Sequence, residues 1–148
     1  STKAARMTEA DRLIVALGLE PHPEGGWYRQ TWVDDTAEGR PSGTAIYFLL
    51  KAGEQSHWHR VDAVEIWHWH AGSPLILSTS ATDTGPAQTI RLGPDVLAGE
   101  RPQLVIPAHH WQMAQPVGAF ALVSCTVSPG FRFDGFTLAA PGFDIPRA

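Results

Sequence analysis

The sequence is poor in cysteine and in charged residues, and it has no long hydrophobic run. Cys125 is the only cysteine in 148 residues, so an internal disulfide is impossible, as is usual for a cytoplasmic protein. Charged residues make up 18% of the chain and the formal net charge is -4, which predicts no basic surface for nucleic acid. No apolar run approaches the roughly 20 residues that cross a membrane, and residues 1–6 do not lead into a signal core. We therefore expect a cytoplasmic protein that binds neither nucleic acid nor a membrane.

Several motifs that would name a reaction are also missing. There is no Gly-rich phosphate loop before a helix, no cysteine pair for zinc and no Gly-x-Ser-x-Gly turn. The 14 glycines and 12 prolines are scattered, which is typical of many short strands joined by turns. The length predicts one domain over residues 1–148.

One helix and about ten strands are expected. Thr8 can cap a helix over residues 9–17, apolar residues follow at helical spacing, and Gly18 can end it. Alternating or apolar stretches predict strands over residues 27–32, 44–50, 56–60, 65–70, 74–80, 87–92, 103–106, 111–115, 120–127 and 133–138. A surface loop is expected over residues 34–42 and a tail over 139–148. This pattern favours an all-β sandwich or barrel with a short N-terminal helix.

The stretch from Ser56 to Gly72 holds four of the seven histidines and three of the six tryptophans. Neighbouring side chains on a strand point to opposite faces, so we expect His57 and His59 to share a face. With Glu65 they form a candidate site for a divalent metal such as Fe, Mn, Ni or Zn. The alternative is a polar network in which the imidazoles are satisfied by carboxylates or backbone groups.

The same alternation divides the next strand. Glu65, Trp67 and Trp69 are expected on the inner face, while His68 and His70 are expected outside. His22, beside two prolines, is interpreted as a surface residue.

Other residues are candidates for binding a small molecule. Most large aromatic rings must be core, but Trp67, Trp69 and Trp111 are candidates for stacking on a sugar or another planar ligand. Arg29 and Arg60 are candidates for holding a phosphate or carboxylate. Gln112 is either a weak oxygen ligand or a hydrogen-bonding residue, and Cys125 is interpreted as a small buried hydrophobe.

Two segments resemble the two cupin motifs. Gly53, His57, His59, Glu65 and Gly72 are similar to the first motif, in which a His-x-His pair precedes a glutamate and a glycine. Gly99 and the segment Pro107-Ala108-His109-His110-Trp111-Gln112 resemble the second motif. In this segment His109 replaces the motif's glycine, and Gln112 stands where its metal-binding histidine would be.

The chain resembles more closely the small cupin family known as domain of unknown function 985. The segments that carry this resemblance are Glu24-Gly25-Gly26-Trp27-Tyr28-Arg29, Ser56-His57-Trp58-His59-Arg60, Glu65-Ile66-Trp67-His68, Gly99-Glu100-Arg101-Pro102-Gln103 and Ser124-Cys125-Thr126-Val127-Ser128-Pro129-Gly130-Phe131. The resemblance implies a cupin jelly-roll barrel (a double-stranded β-helix), commonly a homodimer, with a small-molecule pocket between its sheets.

The expected pocket lining is His57, His59, Glu65, Trp67, Trp111 and Gln112, with Tyr47, Arg29 and His109 at the rim. By analogy with metal-free cupin epimerases, His59 is the candidate base, Glu65 or Asp62 would tune its pKa, and Tyr47 is the candidate acid. The substrate would then be a sugar or a nucleotide sugar. Two alternatives stay open: a metal-dependent oxygenase, isomerase or lyase that uses His57, His59 and Glu65, and a ligand-binding or sensor module without turnover.

Overall fold

The computed structural model of the protein describes residues 6–35 and 38–148, which form two antiparallel sheets and one α-helix. Residues 1–5 of the predicted N-terminal segment and residues 36–37 of the predicted loop lie outside these ranges. Within them, no helix has both the length and the hydropathy needed to cross a membrane.

The helix α1 spans Glu9–Leu17, and two 3-10 turns span Val96–Ala98 and Phe133–Gly135. The strands are β1 Glu20–Pro21, β2 Trp27–Val33, β3 Thr44–Lys51, β4 Ser56–Val61, β5 Val64–Gly72, β6 Leu75–Ser80, β7 Gln88–Leu92, β8 Gln103–Ile106, β9 Trp111–Pro116, β10 Phe120–Ser128 and β11 Phe136–Leu138.

The strands form a jelly-roll barrel, which confirms the predicted fold class. The six-stranded sheet has the order β1-β2-β3-β10-β5-β8, and the five-stranded sheet has the order β11-β4-β9-β6-β7. Apolar side chains from both sheets meet between them, including Phe48 and Trp67 from one and Leu75 and Leu77 from the other. This apolar core fills one part of the barrel interior and leaves the rest for a cavity.

The predicted helix is confirmed at both ends. The Thr8 hydroxyl accepts from the Asp11 backbone N–H at 3.1 Å, and the Asp11 carboxylate accepts from the Thr8 N–H at 3.2 Å. This reciprocal pair satisfies two donors that a helix start leaves unpaired. Gly18 ends the helix in the left-handed conformation, with φ 64°. The apolar face of α1 packs against Leu49 and Phe120 on the outer side of the six-stranded sheet.

Two predictions about the C-terminal part are wrong. Residues 133–138 are not one strand, because Phe133–Gly135 forms a 3-10 turn and only Phe136–Leu138 pairs with β4. The segment after residue 138 is not a free tail, since Ala139 and Ile145 are buried against Trp58 and Trp111. This segment covers the outer face of the five-stranded sheet.

A tight turn before β2 brings the segment of residues 22–24 onto the barrel. Gly26 has φ +80°, and a Cβ atom placed there would lie 2.7 Å from Leu50 Cδ2 and 2.9 Å from Phe48 Cζ. The His57 N–H donates to the Glu24 carbonyl oxygen at 2.8 Å and holds this segment beside β4. The absence of a side chain at Gly26 therefore permits the close approach of this turn to the barrel.

We predict that Gly26→Ala lowers the free energy of unfolding by about 3 kcal/mol, while Gly53→Ala lowers it by about 1 kcal/mol. The two glycines have nearly equal φ values, +80° and +81°, but nothing lies within 4 Å of a Cβ atom at Gly53. The difference therefore measures the steric contact alone. Urea unfolding of both variants checks this, and equal losses would contradict the close packing at Gly26.

Candidate functional site

A cavity lies between the two sheets, at the end of the barrel that the apolar core does not fill. It offers about 100 Å³ to water-sized molecules and is partly open to solvent. Two histidines and two glutamates line it: His22, Glu24, His59 and Glu65. The rest of the wall is mainly apolar and aromatic, and includes Tyr28, Cys125, Phe131 and Phe136. A small number of polar groups in an apolar cavity is the usual composition of a ligand site.

His59 and Glu24 form a buried ion pair in the wall of this cavity. The His59 Nδ1 atom lies 2.8 Å from Glu24 Oε2, and both side chains are almost inaccessible to solvent. The Nδ1–H bond itself is directed at the His57 carbonyl oxygen, also at 2.8 Å. The carboxylate therefore acts mainly through its charge, and the carbonyl oxygen fixes the orientation of the ring.

The ion pair sets the charge state of both residues. Burial acts to lower the pKa of His59, but the negative charge of Glu24, with help from Glu65, outweighs it and raises the pKa to about 9. Burial acts to raise the pKa of Glu24, but the His59 charge outweighs it and the pKa is lowered. At neutral pH the pair is an imidazolium and a carboxylate.

Glu65 is held by a chain of hydrogen bonds from the core. The Trp67 indole N–H donates to Gln112 Oε1 at 2.7 Å, and Gln112 Nε2 donates to Glu65 Oε1 at 2.8 Å. Trp67 and Gln112 are both buried, and neither lines the cavity. Both were expected to line the pocket, but the structure makes them supports for Glu65.

Burial raises the pKa of Glu65 to about 7, against the lowering effect of His59. Burial also raises the pKa of the Cys125 thiol well above its ordinary value, and nearby Glu65 and Glu24 add to this effect. Glu65 therefore changes charge near neutral pH, whereas Cys125 stays a thiol. A carboxyl group with such a pKa can both accept and donate a proton at pH 7.

The structure does not bring His57 to His59 and Glu65. The pairing of β4 with β9 shifts between Ser56 and His59, so the strict alternation expected for this strand is broken. His57 turns away and donates from Nε2 to the Ala140 carbonyl oxygen at 2.9 Å. The predicted metal set is thus not assembled, and no cluster of three or more His, Cys, Asp or Glu side chains with metal-binding geometry occurs in residues 6–35 and 38–148.

The tyrosine in the cavity wall is Tyr28 and not Tyr47. Tyr47 lies on the opposite face of β3 and packs in the cluster beneath α1. Tyr28 lines the cavity, and its ring lies edge-on to His22 with centroids 4.5 Å apart. Alternation along β2 puts Tyr28 and Arg29 on opposite faces, but it does not tell which face is inside.

Arg29 and His109 were expected at the rim, and both lie elsewhere. The exposed Arg29 donates from Nη1 to the Leu17 carbonyl oxygen at the end of α1. His109 is exposed with φ 70°, the left-handed conformation that favours glycine. The cupin motif has a glycine at this position, and the left-handed conformation explains that preference. In this chain His109 replaces the glycine.

Neither Trp69 nor Trp111 lines the cavity. The Trp69 indole N–H donates to the Ser73 carbonyl oxygen at 2.9 Å, and the ring packs on the barrel core. Trp111 lies on the outer face of the five-stranded sheet against Phe143, with the Arg60 guanidinium 4.7 Å above its ring. These rings stabilise the fold and are not placed to stack on a ligand in the cavity.

Two site residues, His22 and Glu24, were missed by the reasoning from sequence. Both lie in a turn-rich segment where strand alternation gives no direction, and His22 was interpreted as a surface residue. The Glu24-Gly25-Gly26 sequence was the available signal, because two glycines in a row permit a close approach to the barrel. His68 lies outside the cavity, as expected, beside Thr126 on the outer face of the sheet.

Comparisons with known proteins agree with this architecture. The family model described as Cupin superfamily (DUF985) matches residues 11–139. A protein from Shewanella oneidensis is 43% identical with a TM-score of 0.84, over 90% of this chain and 86% of that one. A hypothetical protein from Leishmania major is 30% identical with a TM-score of 0.81, over 92% and 90% of the two chains.

More distant structures share the fold alone. Oxalate decarboxylase from Bacillus subtilis is 14% identical with a TM-score of 0.62, over 80% of this chain and 29% of that one. No curated protein matches the sequence. That residues 1–148 form a single domain stays a prediction.

We predict that the wild-type protein loses stability on the order of 2 kcal/mol, relative to Glu65→Gln, as the pH rises from about 4.5 to 6.5. Burial raises the folded-state pKa of Glu65 to about 7, above the ordinary value of 4.5. Protonated Glu65 therefore stabilises the fold at low pH, and this contribution is lost as the pH rises towards 7. A glutamine does not titrate and can still accept the hydrogen bond from Gln112.

Urea unfolding at several pH values measures this difference. Glu20→Gln, at an exposed position in β1, is the control and should leave the pH dependence unchanged. Parallel pH profiles of wild type and Glu65→Gln would show that the pKa of Glu65 is not raised by folding.

Proposed function

The chain belongs to the cupin superfamily, in the family described as DUF985, and we propose that it is an enzyme of the isomerase or epimerase type. Its substrate would be a small sugar-like molecule bound in the barrel cavity, and its reaction a proton transfer next to a carbonyl group. The observation that carries this proposal is the buried set of Glu24, His59 and Glu65 in the cavity wall. Perturbed titratable groups that converge on a cavity favour a catalytic role.

The charges assign different roles to the three residues. Glu65, with a pKa of about 7, is the group that takes a proton from the carbon next to the carbonyl. The C–H electron pair then moves towards the carbonyl oxygen, and the His59 imidazolium stabilises the negative charge that develops there. Return of this proton from Glu65 to the former carbonyl carbon, with the hydroxyl proton passing to the other oxygen, completes an isomerisation. Epimerisation instead needs a proton delivered to the opposite face of the original carbon, and Tyr28 in the cavity wall is the candidate donor. Glu24 keeps His59 protonated.

This assignment differs from the analogy with cupin epimerases, in which the barrel histidine is the base. A histidine with a pKa of about 9 is mostly protonated at pH 7, so it is a poor proton acceptor there. Tyr28 takes the place proposed for Tyr47, because its ring is in the cavity wall.

Two other expectations have less support. The hypothesis of a metal-dependent enzyme required His57 as a metal ligand, but His57 points away from the cavity and donates to the Ala140 carbonyl oxygen. A ligand-binding module without turnover would use the same cavity, so the experiment must distinguish binding of a ligand from its chemical conversion. Homodimer formation and a cytoplasmic location stay predictions from the sequence.

We predict that the protein catalyses exchange of a carbon-bound proton with solvent. Neutral aldoses, ketoses and lactones are incubated with the protein in D₂O, and loss of the proton next to the carbonyl is followed by NMR. The rate should rise with pH through about 7, as Glu65 ionises, and fall through about 9, as His59 loses its proton. Glu65→Gln should lower the rate by at least roughly 100-fold.

The control is again Glu20→Gln, which should exchange at the wild-type rate. Binding of a sugar without exchange would favour the ligand-binding module and count against an enzyme. If the exchange rate did not change with pH around 7, Glu65 would be excluded as the base.

A further inference from the structure

Lysine and arginine side chains are kept away from the cavity. Among residues 6–35 and 38–148, no lysine or arginine lines it. Arg40 makes a two-pronged ion pair with Asp62, Arg60 lies over the Trp111 ring, and Arg147 pairs with Asp144. These three guanidinium groups, of the kind that usually holds a phosphate or a carboxylate on a ligand, are thus committed elsewhere.

The charges that do line the cavity do not favour an anion. Glu24 and His59 form an ion pair 2.8 Å apart with no net charge, so His59 can stabilise charge that develops on a ligand oxygen but adds no net attraction for an anion. Glu65 adds negative charge whenever it is ionised, because Gln112, which donates a hydrogen bond to it, is neutral and does not balance that charge. A phosphate or carboxylate in this cavity would face two carboxyl groups in a medium of low dielectric constant, without a free cation as partner.

His22 presents a hydrogen-bond donor of fixed direction. Its Nδ1 atom accepts a hydrogen bond from the Glu24 backbone N–H at 3.0 Å. Since a backbone N–H only donates, Nδ1 must be the unprotonated nitrogen, and the proton of the neutral ring is on Nε2. Burial lowers the pKa of His22, which keeps the ring neutral.

The Nε2–H group of His22 has no acceptor among the described residues. The ring is held edge-on between Tyr28 and Phe48, with centroid distances of 4.5 and 5.7 Å, so it cannot turn freely to find one. His22 also lines the cavity. Solvent reaches this donor, so a ligand that displaces the water there must offer an acceptor in its place.

The mouth of the cavity is aromatic. Phe131, Phe133 and Phe136 pack edge to face there, with centroids 4.9 to 6.2 Å apart, and Phe133 is 56% exposed. Such a rim favours the apolar face of a ring, from a sugar or from a planar compound.

From these observations we infer that the cavity takes a ring compound without phosphate or carboxylate groups, whose carbonyl or hydroxyl oxygen accepts a hydrogen bond from His22 Nε2. This inference rests on the proposed function only in taking the cavity as the ligand site. It narrows the expected substrate class to free sugars, lactones or similar neutral molecules, and excludes nucleotide sugars. His22 becomes the residue that selects the ligand oxygen.

Three compounds that share one ring and differ in their polar group test the charge selection: benzamide, benzoate and phenyl phosphate. Binding to the full chain is measured by NMR titration at pH 7.5. Benzamide should bind at least tenfold more tightly than either anion. Equal or tighter binding of benzoate or phenyl phosphate would overturn the inference.

Two substitutions at His22 test the donor. In His22→Asn the side-chain oxygen can still accept from the Glu24 N–H, but no donor reaches the former position of Nε2. In His22→Gln an amide N–H can reach that position. Benzamide affinity should fall about fivefold in His22→Asn and less in His22→Gln. Toluene, which has no acceptor, should bind both variants as it binds the wild type.

Thermal unfolding shows whether each variant is folded before it is titrated. An equal loss of benzamide and toluene binding in His22→Asn would show that His22 only shapes the cavity, and would overturn its assigned role. If none of the four compounds bound the wild-type protein, the cavity would not be a ligand site, and the proposed function would fail together with this inference. Selective benzamide binding without any solvent exchange of sugar protons would sustain the inference and contradict only the enzyme.

Discussion

The ion pair between Glu24 and His59 is the interaction on which the arrangement of the cavity depends. Both groups are almost completely buried, and a charge in the barrel interior is tolerated only with a partner. Loss of one partner would leave the other charge uncompensated, at a cost of roughly 3–5 kcal/mol. The turn at Gly26 and the shifted pairing of β4 serve this interaction, since they bring a loop carboxylate and a strand imidazole within 2.8 Å.

The carboxyl group of Glu65 is stabilised in a different way. Glu65 has no full countercharge of its own, because His59 is already paired with Glu24. It is instead held by the neutral amide of Gln112, which is oriented by the Trp67 indole. A neutral donor can hold this carboxyl group in both protonation states, so its pKa lies close to 7 without loss of position. Gln112, which departs from the cupin motif, therefore completes a hydrogen-bonded chain where the motif has a metal ligand.

Much of the fold could be predicted because its signals are local. The capping residues of α1, the turns rich in glycine and proline, and the alternation in β5 depend only on neighbours in the chain. The alternation correctly separated Glu65 and Trp67 from His68. It failed in β4, where one irregularity in pairing with β9 turned His57 away from His59. Such a shift depends on the partner strand, so no pattern within residues 56–60 reveals it.

By itself the sequence determined the fold class, the cupin resemblance and the presence of His59 and Glu65 as inward residues, because alternation and motif spacing are properties of short segments. Only the tertiary structure decided which groups meet these two residues. Glu24 and His22 come from a turn without alternation, Tyr28 replaces Tyr47 because the inner face of the sheet is set by the opposite sheet, and Trp111 faces outward under the C-terminal segment. These outcomes depend on how distant segments close the barrel, which local patterns do not encode. The charge states, and with them the roles proposed for His59 and Glu65, depend on that closure as well.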